Sequence, residues 1–213
     1  MSGPEPGELK RACEALSAAD PALAKAYEDV GLPTWRSAPA HYVSLARSVV
    51  YQQISTRAAG AIWERCLAHI HPFEPENILA REEDELRQLG LSRPKVAHMK
   101  SIATAIVSGA LDLKGLQSEQ DGKKVRQSLV SVKGIGPWTA ELFCLYALQD
   151  MDAFPTADLG LMESYRQLSG RPDRPDRNAF EALGETWRPW RGCAAHLLWD
   201  WLNLQRNKAE RGQ

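Results

Sequence analysis

The stretch Leu129-Val130-Ser131-Val132-Lys133-Gly134-Ile135-Gly136-Pro137-Trp138-Thr139-Ala140 decides how the chain is read. A helical pattern enters it: Val125, Leu129 and Val132 recur about one turn apart, after an Asp121 suited to cap a helix. Residues 138–148 leave it and are apolar almost all round, as in a helix buried on most sides. Two helices are thus joined through Gly-Ile-Gly. Glycines let a backbone turn tightly and come close to a ligand. The second helix starts with outward N–H groups at the positive end of its dipole. Pro137 in its first turn gives up a hydrogen that would have lacked a helical partner. Ile135 can pin the hairpin to the core, and Lys133 adds a positive charge. Lys133, Gly134, Ile135 and Gly136 are therefore candidate contacts to a phosphate, which would position the protein on nucleic acid without reading sequence. A plain helical corner with no ligand remains the alternative.

Outward from this hairpin the periodicity stays helical. Tyr42, Leu45, Ala46, Val49 and Val50 follow a Pro39 start signal; Ala58, Ile62, Cys66 and Ile70 mark a second helix. Glu82–Leu89 is a short acidic helix stopped by Gly90, and Val96, Met99, Ala103 and Ile106 define one closed by Gly109. Trp190, Ala194, Leu197, Leu198 and Trp201 form the last amphipathic helix, and the polar tail Arg206–Gln213 is expected to fray. No period-2 strand stands out, so the class is all-α.

The 213 residues allow one large domain or two small lobes. With 44% hydrophobic and 25% charged residues the composition is that of an ordinary globular chain and excludes wholesale disorder. No run of about 18 apolar residues is present, so no helical membrane span is expected. The first residues, Met1-Ser2-Gly3-Pro4-Glu5-Pro6, lack the pattern of a secretory signal, and the cytoplasm is the expected compartment. A net charge of −1 excludes a uniformly basic coat, but residues 71–92 carry a net −4 and residues 93–140 a net +5. That basic sector hints at an anionic partner, although on charge alone a solvated helix face is the favoured explanation. Cys13, Cys66, Cys144 and Cys193 are far apart, without metal-ligand spacing, so zinc and iron–sulfur sites are not expected.

Two further features bear on chemistry. Asp158 lies twenty residues past Trp138, after Phe154-Pro155-Thr156-Ala157 and before a helix-like run to Leu168. It suits a helix N-cap and needs no other purpose. It also suits a carboxylate that stabilises positive charge on a reacting sugar or orients a water. Among seven tryptophans, Trp187, Trp190, Trp199 and Trp201 cluster near the C-terminus. Most belong to a core, but Trp138, beside the hairpin, and Trp199, off its helix's apolar stripe, are candidates to stack on a planar ligand.

The ordered set Lys133–Ala140, Phe154–Asp158, Trp187-Arg188-Pro189-Trp190-Arg191 and Leu198-Trp199 resembles the helix–hairpin–helix DNA glycosylases, most of all the 3-methyladenine DNA glycosylase II branch. Val50-Tyr51-Gln52-Gln53-Ile54-Ser55 looks like that family's Gln-rich loop, and the likeness runs over about residues 40–203. The resemblance implies two helical lobes, an active-site cleft between them, and a monomeric enzyme acting on double-stranded DNA that carries alkylated bases. Residues 40–140 would form one lobe ending in the helix–hairpin–helix, about 121–148; residues 1–39 and 141–213 would form the other. Asp158 matches the essential aspartate. Gly134 and Gly136 match glycines that hold a DNA phosphate. The carbonyls of Val130, Val132 and Ile135 match those binding a monovalent cation, so a structural Na⁺ or K⁺ is expected, with no cofactor required. Trp138, Trp199 and Leu142 fall in the base pocket, with Leu142 replacing an aromatic residue of some relatives. Gln53 or Ile54 falls where the family wedges the duplex as a damaged nucleotide flips out. Relatives with lyase activity place a nucleophilic lysine where Trp138 stands, so hydrolysis alone is expected. The likeness is to the compact form without an N-terminal β-domain. The implied activity is excision of 3-methyladenine- or 7-methylguanine-type bases in base excision repair; the alternatives are another lesion or a DNA-binding module without activity.

Overall fold

Every regular element among the described residues, 3–212, of the computed structural model is helical. In chain order these are α1 (Pro6–Ala19), α2 (Pro21–Val30), α3 (Tyr42–Tyr51), α4 (Thr56–His69), α5 (Pro75–Leu79), α6 (Glu83–Gln88), α7 (Arg93–Val107), α8 (Leu113–Ser118), α9 (Gly122–Val130), α10 (Pro137–Tyr146), α11 (Leu159–Leu168), α12 (Arg177–Glu185) and α13 (Arg191–Glu210). Short polar side chains start many of them: Asp20, Ser55, Asp112, Asp121, Asp158 and Asp176 each accept backbone N–H groups at a helix N-terminus. The last helix differs from the sequence expectation. It continues through Glu210, so most of the tail expected to fray is helical; Gln213 lies outside the described residues.

The chain divides into two units. Ala38–Leu148 forms one, and the chain through Ser37 joins the chain from Gln149 onward in the other. The sequence reading places the second division after residue 140. The structure moves it to the end of α10, because residues 137–146 are one continuous helix packed on α3 and α9.

In the 38–148 unit, α7 is the central element, packed against α3, α5 and α6. Leu45, Val49, Met99, Ile102, Leu129 and Leu145 are fully buried, which supplies the apolar driving force. The buried Tyr42 hydroxyl donates to the carbonyl of Met99 at 3.1 Å. Burial pushes its phenol well above the usual range, so it remains a donor.

In the other unit, α13 packs on α1, α2 and α11. Phe154, Tyr165, Phe180 and Trp187 form an aromatic cluster with ring centroids 5.1–6.1 Å apart. Asp20 completes it. One carboxylate oxygen caps α2 through Ala22 N–H at 2.8 Å, and the other accepts from Tyr165 Oη and Trp187 Nε1, both at 3.1 Å. The four cysteines are free thiols and buried.

Candidate active site

The hairpin between α9 and α10 is built from two glycines that serve different ends. Gly134 has φ +102°, the left-handed region, and a Cβ there would lie 2.6 Å from His98 Cβ of α7. The turn and the packing both require glycine. Gly136 has φ −83°, which any residue adopts, and a Cβ there would meet nothing within 4 Å. The sequence reading attributes the tight turn to both glycines; only Gly134 is needed for it. Gly136 is the N-cap of α10, makes no side-chain cap, and is followed by Pro137. The helix therefore begins with its positive end beside open space.

Ile135 is buried, as expected of a residue that pins the hairpin, and Lys133 is exposed. The hairpin is clamped from behind by Arg126 of α9 and Glu141 of α10. Arg126 Nε and Nη2 donate to the two carboxylate oxygens at 2.6 and 3.0 Å, a two-pronged pair that fixes the angle between the helices. Sequence reading missed this pair because its members lie fifteen residues apart on separate helices. Trp138, in the first turn of α10, is half-buried, and Leu142, four residues on and so on the same face, is buried.

The carbonyls proposed for a cation lie at the C-terminal end of α9 and in the turn. Val130 is the last residue of α9, and the Val132 carbonyl accepts the Ile135 N–H at 3.0 Å with one of its two lone pairs. Carbonyl oxygens at a helix C-terminus are hard donors at the negative end of a dipole, so this donor set fits a monovalent cation. No cluster of three or more His, Cys, Asp or Glu side chains suited to a metal occurs among the described residues.

In the same unit, the loop from α3 to α4 carries the two candidate wedge residues. Gln53 is exposed with φ +59°, unusual for a side chain with a Cβ, and Ile54 is an exposed large hydrophobe at 38%. Gln52, whose pattern in the sequence gives it no role of its own, reaches back to the hairpin. Its Nε2 lies 3.0 Å from Thr139 Oγ1 and 3.4 Å from the Gly134 carbonyl.

The other unit holds Asp158 and Trp199. Asp158 is half-buried and is the N-cap of α11: its Oδ1 accepts the Leu161 N–H at 3.0 Å. The capping role is therefore real. The same oxygen accepts the Trp199 indole N–H at 3.3 Å. Trp199 is half-buried, its ring perpendicular to that of His196, with centroids 5.9 Å apart and planes at 87°. His196 also stacks on Trp35, with ring centroids 4.2 Å apart. His196 Nε2 accepts the Arg36 backbone N–H at 3.2 Å, which requires the proton on Nδ1, and Nδ1 donates to the Gly192 carbonyl at 2.8 Å. Burial is the main cause that holds the His196 pKa down at about 4. Arg36 lies over the Trp199 ring at 5.9 Å and pairs with Asp200, whose other oxygen accepts the Thr34 N–H at 2.7 Å. Trp35, Arg36 and His196 thus support Trp199. Trp35 and Arg36 lie in the Gly31–Pro39 segment, which has no periodicity that could have pointed to them.

A family model described as the HhH-GPD superfamily base excision DNA repair protein matches residues 46–189. DNA-3-methyladenine glycosylase 1 of Schizosaccharomyces pombe is 32% identical over 161 residues, covering 74% of this chain and 71% of that protein. A DNA-3-methyladenine glycosylase of Saccharomyces cerevisiae is 27% identical over 194 residues, covering 75% of this chain and 66% of that protein. The solved structure of an S. pombe 3-methyladenine DNA glycosylase in complex with abasic DNA superposes with a TM-score of 0.81 at 29% identity, over 89% of this chain and 95% of that one.

Proposed function

Because the chain belongs to the HhH-GPD superfamily of base excision DNA repair proteins, we propose that it is a monofunctional DNA glycosylase that releases alkylated bases from double-stranded DNA by hydrolysis. The observation that carries this reading is the pairing of Asp158 with Trp199. A half-buried carboxylate, oriented by a backbone N–H and an indole N–H, stands beside an aromatic ring packed perpendicular to His196.

That pairing supports a specific division of labour. A purine alkylated at N3 or N7 is already cationic. When its bond to C1′ breaks, the electron pair leaves with the base, which departs neutral, and positive charge moves to the sugar. A general acid contributes little to such a step; a fixed negative charge near the sugar contributes much, because it is aligned before the charge develops. Asp158 supplies that charge. Water then adds to C1′, and its proton passes to Asp158 or solvent. Trp199 stacks on the electron-poor base, a cation–π contact worth on the order of 1–2 kcal/mol. Within the other unit, Trp138 and Leu142 of α10 carry the aromatic and apolar character that suits a planar base. An indole at 138 offers no amine for a Schiff base, so the reaction ends at an abasic site.

Gly136 and Lys133 hold a phosphate at the hairpin, and Gln53 or Ile54 occupies the space left by the extruded nucleotide. Extrusion costs a few kcal/mol, less when the lesion weakens pairing. The carbonyls of Val130, Val132 and Ile135 would hold a Na⁺ or K⁺, whose charge favours an adjacent phosphate.

The test is Asp158→Asn. Asparagine is an equally good N-cap and keeps an oxygen for Leu161 and Trp199, so the fold should survive. Release of 3-methyladenine from methylated DNA should fall by on the order of 100-fold or more, the range for losing one preorganised charge-stabilising group. Affinity for an abasic duplex should be retained. Undiminished release would remove Asp158 from the mechanism.

A further inference from the structure

Gln52 occupies the one place in the 38–148 unit where the loop carrying Gln53 and Ile54 touches the hairpin by hydrogen bonding. Its backbone N–H closes the last turn of α3 on the Val49 carbonyl at 3.3 Å. Its side-chain amide turns the other way. Nε2 donates to Thr139 Oγ1 at 3.0 Å and, more weakly, toward the Gly134 carbonyl at 3.4 Å. A carbonyl can only accept, which identifies the amide nitrogen as the atom in contact. Thr139 is 1% exposed in the first turn of α10, so the hydroxyl end of the bond is shielded from water, while Gln52 is half-buried.

The loop has few other ties. Gln53 sits at φ +59° and is exposed; Ile54 is exposed; Ser55 begins α4 by capping Ala58 N–H at 3.3 Å. Lys95 of α7 donates to the Val50 carbonyl at 2.7 Å, anchoring the end of α3 but not the loop beyond it. The hairpin, by contrast, is held independently by the Arg126–Glu141 pair, by buried Ile135 and by the Gly134 backbone against His98. Loss of Gln52 therefore frees the loop and leaves the hairpin in place. A left-handed residue with a Cβ is strained and persists only where its surroundings hold it.

We propose that Gln52 is a positioning residue that ties the duplex-wedging loop to the phosphate-holding hairpin, so that gripping the backbone and extruding the nucleotide act from one rigid part. The inference rests on the glycosylase reading and adds a requirement to it. When the hairpin engages a phosphate, the wedge is delivered at a set distance along the duplex. Without the tie, the loop samples many positions and extrusion becomes the slow step, while chemistry on an already extruded base is unaffected.

The experiment compares single-turnover release of 7-methylguanine from a fully paired duplex with release from the same strand in which the lesion sits in an unpaired bulge. Wild type must release the base from both; failure in both overturns the glycosylase reading whatever Gln52 does. For Gln52→Ala, release from the paired duplex should fall about tenfold, the scale of one shielded hydrogen bond. Release from the bulge should change by less than about twofold, and the salt dependence of binding to undamaged duplex should be unchanged. Thr139→Val should reproduce the loss, Thr139→Ser should recover most of it, and Gln52→Ala with Thr139→Val should be no worse than either alone. The proposal is overturned if Gln52→Ala matches wild type, if it loses equally on both substrates, or if the two losses add. Should Gln52→Ala fail to fold, the contrast between Thr139→Val and Thr139→Ser on the two substrates decides the matter alone.

Discussion

The indole N–H of Trp199 and the backbone N–H of Leu161 converge on the same oxygen of Asp158, at 3.3 and 3.0 Å. A residue that starts a helix is thereby also tied to an aromatic ring of α13, forty-one positions along the chain. The two bonds fix where the carboxylate points. They also join the group proposed to stabilise the sugar to the ring proposed to stack on the base.

That relationship separates two effects of Trp199. Trp199→Phe keeps a ring but loses the donor to Asp158, and should lower single-turnover base release about tenfold without changing duplex affinity. Trp199→Ala removes the stacking surface as well, a further loss of about 1–3 kcal/mol in the step that depends on the everted base. Release rates and duplex binding curves measured side by side check this. An equal fall in both would assign Trp199 to packing rather than to the pocket.

The hairpin glycines should respond in opposite ways. Gly134→Ala must adopt a left-handed φ and push into His98, so thermal unfolding should show a loss of at least about 1–2 kcal/mol. Gly136→Asp places a favoured capping residue in open space at the start of α10, so its melting temperature should hold or rise. Its carboxylate would face the phosphate, so the Kd for duplex DNA should increase and its salt dependence flatten. Unchanged DNA binding in Gly136→Asp would show that the hairpin meets no phosphate.

His196 makes stability depend on acid. Its pKa is held at about 4 in the folded chain against an ordinary 6.5. The unfolded chain therefore binds a proton below pH 6.5 that the folded one refuses until about pH 4. The contribution is complete above pH 6.5 and is lost as pH falls through that window, at up to roughly 1.4 kcal/mol per pH unit. Urea unfolding between pH 7.5 and 4.5 should show this slope in the wild type and a shallower one in His196→Gln. Parallel slopes would mean that burial does not hold the imidazole neutral.

Gln53 carries backbone strain that glycine would relieve. Gln53→Gly should leave stability unchanged or raise it by up to about 1 kcal/mol, since relief of the left-handed φ offsets the greater flexibility of the unfolded chain. Release from paired duplex should fall where the Gln53 side chain is the one that enters the stack. A stable and fully active Gln53→Gly would point to Ile54 as the residue that enters the stack.

Much of this was legible before folding. The period of Val125, Leu129 and Val132, the Asp121 cap and the break at Gly134 are local properties, and they place α9 and the turn where the structure has them. The capping role of Asp158 was equally plain. Less legible was the extent of α13, because the polar residues after Leu204 keep helical order without an apolar stripe to announce it. The division between units was also displaced, because a helix that is apolar all round gives no sign of which neighbour it joins.

The sequence alone determined the helical class, the corner with its open N-terminus, and the residue types able to carry the chemistry. Each follows from rules that act over a few residues: periodicity, capping and the φ angles a side chain allows. Only tertiary structure decided that Gly134 and Gly136 have unlike duties, that Trp35 and His196 prop Trp199, and that Gln52 reaches Thr139 eighty-seven positions away. Such partners are chosen by packing between elements distant in the chain, where side-chain shape and burial decide who meets whom and local pattern carries no record of it.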